Sequence, residues 1–407
     1  MALVRRSLLV NLGLAAASLA VALLALEGVA RLALRGRGGG KERDEASLYM
    51  EYDPHLGWRH RPGARALYRR REYTTEVAIN GHGLRGPERG YEAPPGTLRV
   101  LALGDSFVEG YTVASHETVT DVLEQDLARP GCPVEVLNAG TAAYSTDQEY
   151  LFYREEGVKY SPQVVLVFFY YNDILSNTIA RYFGSPKPLL ARVDGRMVLR
   201  DDPVPRPPPP PPRTEEAPPP PAARGSAAFQ WLRDRVARGA PRAYNALARA
   251  GLWKPLGGDT VEQGDQLRVY KRRRQTQIEE AWTLTGQILE ALAREAEGHG
   301  ARFAAVYVPS RMEVSDRDWE LTRLSYEMDA TVWDRTLVER RLEEVGRVAG
   351  FPVLDLTPAL RAATGTLAGE PYLLYDGHWN ARGHRAAALA VAAFLRARGW
   401  VPACAGG

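Results

Sequence analysis

Cysteine is almost missing from this sequence: 407 residues carry two, Cys132 and Cys404. That excludes a disulfide-stapled mini-domain, a CxxC redox centre and a cysteine-rich zinc site. Histidine is scarce as well, with seven, and no HExxH or other close-spaced cluster offers a metal site. Charge of one sign is not in excess. The 52 basic and 49 acidic residues leave a formal net charge of +3, which gives no reason to expect nucleic acid as a partner. What remains is 45% hydrophobic, enough to bury a real core, so a wholly disordered chain is excluded too.

Long apolar runs are also rare, and the exception is at the N-terminus. Residues 7–26 are 20 residues without a charge, preceded by Arg5 and Arg6. A helix of that length spans about 30 Å, the thickness of a bilayer core. The run is longer than the usual apolar part of a signal peptide, and the helical pattern continues through Glu27 and Arg31. Residues 1–35 therefore read as a signal-anchor, with the inner membrane met by residues 7–34. Arg31, Arg35, Arg37, Lys41 and Arg43 would favour a cytoplasmic C-terminal part. A short basic N-terminus before a long domain is nevertheless the usual layout for export. The expectation is a single-pass inner-membrane protein whose main domain faces the periplasm or cell exterior. Residues 36–50 are polar and Gly-rich, a stalk. Residues 203–225 form a proline tract that can enter neither helix nor sheet ladder and reads as an extended spacer.

Five short β-rich runs follow in order, at residues 98–103, 133–137, 164–170, 302–308 and 352–356. Amphipathic stretches at 117–128, 146–157, 275–297, 332–349 and 381–398 alternate with most of them. Near-continuous apolar strands alternating with helices predict an α/β fold with a parallel sheet of about five strands covered on both faces. Thr146 with Glu149 reads as a capping box, and Asn380 as the N-cap of the last helix. Residues 174–274, with the proline tract, interrupt the alternation and read as an insertion in a domain spanning 96–399. Residues 400–407 are a tail.

In open parallel sheets the ligand crevice lies beyond the carboxyl ends of the strands. Past the first run stand Gly104, Asp105 and Ser106, past the second Asn138, Ala139 and Gly140, past the third Asn172 and Asp173, and past the fourth Ser310 and Arg311. Asp376-Gly377-His378 comes just before the last helix. A serine hydroxyl attacks a carbonyl only when a base takes its proton. His378 can be that base, and Asp376 can hold its imidazole in one tautomer. The N–H of Ser106, the N–H of Gly140 and the side-chain amide of Asn172 are candidate oxyanion donors from three strand ends. Arg311, on the same edge, is a candidate for an anionic or sugar-oxygen part of a substrate; a surface ion pair is its alternative. His384, one and a half turns beyond, reads as an exposed helix-start histidine.

Four blocks carry a family likeness: Ser106 in LALGDSFVEG, Gly140 in VLNAGTAAYST, Asn172 in FFYYNDI, and Asp376 with His378 in YDGHWNARGH. Over roughly residues 90–399 the sequence resembles the SGNH (GDSL-type) hydrolase superfamily. LGWRHRPG and INGHGLRGPE, within residues 51–95, look like the leader of its membrane-anchored bacterial members. The resemblance implies a flavodoxin-like three-layer sandwich and a serine esterase with Ser106, His378 and Asp376 as triad, no metal and no cofactor. Acyl esters, acetyl first among them, on small molecules or envelope glycans are the implied substrates. One departure stands out: a single residue, Gly377, separates Asp376 from His378, where the commonest family block has two. The D-x-H-W form resembles the branch containing periplasmic O-acetyltransferases of exopolysaccharides, so acyl transfer is the alternative to hydrolysis. A glycan-binding module without catalysis is a second alternative. In a flavodoxin-like sheet the first and last helices cover one face, which places Cys132 and Cys404 at the bottom of that face. That is a necessary condition for a disulfide and leaves the pairing open.

Overall fold

The computed structural model describes residues 48–70, 72–200, 202–207, 227–250, 252–253, 266–365, 370–374 and 376–402, with 18, 22, 25 and 27–29. Its centre is a sheet of β1 (Leu98–Gly104), β2 (Val134–Gly140), β3 (Val164–Phe169), β4 (Arg302–Tyr307) and β5 (Val353–Asp355). The strands lie in the order β5-β4-β3-β1-β2, and every pairing is parallel. This is the flavodoxin-like order 2-1-3-4-5, read from the other edge.

The apolar runs become strands because both faces of each are covered. Along β1, Leu101 and Leu103 enter one core cluster, while Leu98, Val100 and Ala102 enter the other. That is the two-residue period of a strand. The first face is covered by α3 (Thr146–Glu155), α4 (Thr276–Gly298) and α5 (Leu337–Ala349). The opposite face is covered by α2 (Val119–Leu127) and α6 (Ala381–Ala397), which pack on each other. The first and last helices thus share a face, as the sequence implied. Cys132, just beyond α2, is disulfide-bonded; the sequence's other cysteine, Cys404, lies outside the described residues.

Ahead of the sheet, two antiparallel hairpins pair Met50–Asp53 with Gly57–His60 and Arg65–Arg69 with Thr74–Ala78. Arg85 then bridges Asn138 on β2, an edge strand of the sheet. The described chain divides into two compact units. One comprises Asp44–Pro208 and Thr260–Gly407 and holds everything above. The other comprises Met1–Arg43 and Pro209–Asp259. It contains helices Ala227–Gly239 and Pro241–Arg249, and the Ala228 N–H donates to Glu27 at 3.0 Å. Among the described residues no helix is long and apolar enough to cross a membrane. The apolar run at 7–26 and most of the proline tract lie largely outside those residues.

Two local expectations are corrected. The capping box of Thr146 with Glu149 does not form. Ser145 takes the N-cap position, the Thr146 hydroxyl donates to Asp173 at 3.2 Å, and the buried Glu149 carboxylate has no hydrogen-bond partner among the described residues. His384 is buried, not exposed. It faces inward on α6, its Nδ1 accepts the Val119 N–H at 3.2 Å, and burial with the nearby Arg85 charge pushes its pKa down to about 3. Asn380 caps α6 as expected, its side-chain oxygen accepting the N–H groups of Arg382 and Gly383.

Candidate active site

In the order 2-1-3-4-5 the chain turns to opposite sides after β1 and β3, and the crevice opens beyond the carboxyl ends of those two neighbours. Ser106 stands there, as the first residue of α1 (Ser106–Glu109), directly after β1. Asp105 makes the turn possible by accepting the Phe107 N–H at 2.9 Å. Burial pushes the Asp105 carboxyl up to about 6, despite that bond.

Ser106 Oγ lies 2.7 Å from His378 Nε2, and His378 Nδ1 lies 2.5 Å from Asp376 Oδ1. The candidate nucleophile, base and orienting carboxylate therefore form one hydrogen-bonded relay across 272 residues of sequence. The short Asp-Gly-His spacing works because Gly377 takes φ +84°, a conformation that a side chain rarely adopts. Trp379 fixes the turn from below. It is fully buried against Phe107, and its carbonyl accepts the Thr112 hydroxyl at 2.7 Å. Burial disfavours a charged imidazole, but the bond and charge of Asp376 prevail, and the His378 pKa is raised above its ordinary value. Burial likewise opposes the Asp376 carboxylate; the hydrogen bonds from His378 and Tyr73 outweigh it and hold its pKa below the usual range.

The second hairpin and its turn supply two groups to this relay that sequence reasoning did not single out. Tyr73 donates its hydroxyl to Asp376 Oδ2 at 3.0 Å. Glu72 accepts the N–H groups of Leu374 and Asp376 at 2.7 and 2.8 Å. Tyr111 adds a hydroxyl 3.3 Å from His378 Nδ1.

The structure brings Ser106, Gly140 and Asn172 to neighbouring strand ends, and Gly104 pairs with both Gly140 and Phe168. Gly140 is needed for packing, since a Cβ there would stand 2.6 Å from the carbonyl carbon of Val108 in α1. Its N–H donates to the Asn138 side chain at 3.1 Å. Three residues on, Ala143 adopts φ +64° in a turn closed by Tyr144 N–H to Thr141 carbonyl at 3.1 Å. A residue with a side chain is uncommon there. Its own N–H has no partner among the described residues. The turn is held by Glu109, one helical turn beyond Ser106. Its buried carboxylate accepts the Ala142 N–H at 2.6 Å and the Tyr49 hydroxyl at 2.9 Å, with His60 Nε2 at 3.5 Å. Burial alone would raise the pKa of Glu109, yet His60, Arg85 and Tyr49 together bring it below its ordinary value. No sequence signal marks Ala143, because only a glycine would have advertised the left-handed turn.

Arg311 lies on this edge but its head group is engaged. Nε and Nη2 donate to the two Asp318 oxygens at 2.9 and 2.8 Å, and Nη1 donates to the Leu374 carbonyl at 2.9 Å. It ties the loop carrying Asp376 to the segment after β4. Arg311→Ala is expected to lower kcat a few-fold, alike on charged and neutral esters. A KM that rises only for charged esters would make the residue a substrate ligand.

Among the described residues no group of His, Cys, Asp and Glu could hold a metal ion. The family described as SGNH hydrolase-like domain, acetyltransferase AlgX, matches residues 264–406. Over that stretch the chain matches an SGNH hydrolase-like domain. The matched stretch holds Asp376 and His378, and Ser106, Gly140 and Asn172 precede it. No curated protein sequence matches the chain. Solved structures similar to it include TesA, at 11% identity and a TM-score of 0.37, covering 74% of this chain and 98% of TesA. A lipase/acylhydrolase from Enterococcus faecalis matches at 13% identity and TM-score 0.35, covering 74% of this chain and 96% of its own. A catalytic mutant of the acetylxylan esterase Axe2 from Geobacillus stearothermophilus matches at 14% and 0.38, covering 75% and 97%.

Proposed function

We propose that this protein is an SGNH-type serine esterase acting on acyl esters, acetyl esters first among them, through an acyl-enzyme on Ser106. The observation that carries the reading is the unbroken relay from Ser106 Oγ through both nitrogens of His378 to Asp376. Ser106 Oγ attacks the ester carbonyl carbon as its proton passes to His378 Nε2. Asp376 keeps the other ring proton on Nδ1 and stabilises the imidazolium. The Ser106 N–H, the Asn172 amide and the loop after β2 receive the oxyanion. Within that loop Ala143 offers the open N–H, and Gly140 lets the loop lie close to α1. Collapse of the tetrahedral intermediate expels the alcohol, which takes the proton from His378. A second hydroxyl, activated by the same histidine, then removes the acyl group from Ser106.

That second hydroxyl distinguishes two readings. Water makes the protein a hydrolase. A glycan hydroxyl makes it an O-acyltransferase, which the match to the AlgX acetyltransferase domain and the D-x-H-W spacing favour. A purely glycan-binding role would leave the assembled relay without a purpose. Residues 7–34 anchor the chain in the inner membrane in this reading, with the catalytic unit facing the periplasm or cell exterior. Acetate release from a chromogenic acetyl ester, measured with and without acetyl-free polysaccharide, separates the readings. Release independent of the polysaccharide indicates hydrolysis, whereas acetyl appearing on the polysaccharide at the expense of acetate indicates transfer. No turnover under either condition would overturn both.

A further inference from the structure

Asn172 enters the site from the segment after β3, as the residue preceding the short helix Asp173–Ser176. Its amide nitrogen donates to the hydroxyl of Tyr182 at 3.3 Å, and its carbonyl oxygen is buried with no partner among the described residues. That nitrogen carries two hydrogens: Tyr182 accepts one, and the other is left for the oxyanion. Gln266 completes the arrangement. Its side-chain NH2 donates to the same Tyr182 oxygen at 3.2 Å, a second bond that holds the hydroxyl in place. Tyr182 itself is buried and sits on the small hairpin of Arg181–Tyr182 with Ser185–Pro186. Both it and Gln266 are placed by the segment between β3 and α4, not by the core sheet.

We infer that Tyr182, oriented by Gln266, is a positioning residue that holds the Asn172 amide with its NH2 toward the oxyanion. The inference rests on Asn172 being an oxyanion donor, as read above. It makes the insertion part of the catalytic apparatus: the chain Gln266 to Tyr182 to Asn172 fixes one donor before substrate arrives. A donor already aimed at the developing charge contributes to the transition state and little to ground-state binding.

The test is a double-mutant cycle on the full chain with 4-nitrophenyl acetate. Asn172→Ala should lower kcat by about 10²–10³-fold. Tyr182→Phe, which keeps the ring and removes only the hydroxyl, should lower kcat about tenfold with KM nearly unchanged. In the Asn172→Ala background the same change should have little further effect, because the group it positions is gone. Gln266→Ala should lower kcat severalfold without disturbing the packing of the tyrosine ring. The inference is overturned if Tyr182→Phe leaves kcat intact, acts through KM, or costs the same factor in both backgrounds. Should Asn172→Ala itself leave kcat unchanged, the oxyanion role of Asn172 falls and the positioning role with it. A slow Asn172→Ala with an independent Tyr182→Phe removes the positioning role alone.

Discussion

Replacing Ser106 or His378 by alanine is expected to lower ester turnover by several orders of magnitude, and replacing both to cost little more. The two side chains act as a unit: without His378 the hydroxyl keeps its proton, and without Ser106 the imidazole has nothing to activate. The 2.7 Å contact between them is already made in the free protein, so no rearrangement is needed before attack. Additive losses in the double variant, or near-normal turnover in Ser106→Ala, would mean that the serine is not the nucleophile. Steady-state rates on a small acetyl ester decide this, and melting curves of the single variants establish that the fold is intact.

The second large effect concerns Asp376. His378 works as a base only when neutral, and its pKa is raised above its ordinary value because the bond and charge of Asp376 outweigh burial. Activity should therefore rise with pH through a midpoint above about 6.5, the ordinary histidine value. Asp376→Asn removes the carboxylate that raises the histidine. The acid limb of kcat/KM should then move to lower pH, and kcat should fall by roughly 10⁴, the loss typical when tautomer control is removed from a serine triad. A pH profile unchanged by Asp376→Asn would show that the histidine is tuned by another group.

How much of this was legible follows a physical division. The strands were readable because a parallel strand buried on both faces must be apolar nearly throughout. Residues 98–103 and 164–170 became Leu98–Gly104 and Val164–Phe169. The Ser106–His378–Asp376 relay was readable because the sheet collects strand ends on one edge, and because a serine and an Asp/His pair are chemically distinctive there. What escaped depends on contacts that leave no local pattern. Glu109 looks like any helical glutamate, yet it is buried and pins the Ala142 backbone. Ala143 adopts a glycine's conformation without being one. Thr146 and Glu149 have capping-box spacing, but tertiary packing buries the carboxylate and hands the threonine hydroxyl to Asp173. Tyr73 reaches Asp376 across 303 residues of sequence, and Tyr182 reaches Asn172 from within the insertion. Such long-range polar contacts are settled only when the fold closes.

The central claim is a covalent acyl-enzyme on Ser106, and intact-mass spectrometry after rapid acid quench with an activated acetyl ester measures it directly. The account predicts a protein mass raised by one acetyl group and an adduct mapping to the peptide that contains Ser106. Asn172→Ala should form that adduct more slowly, and Ser106→Ala should form none. A protein that turns over the ester without any adduct, or whose adduct lies on another residue and persists in Ser106→Ala, would contradict it.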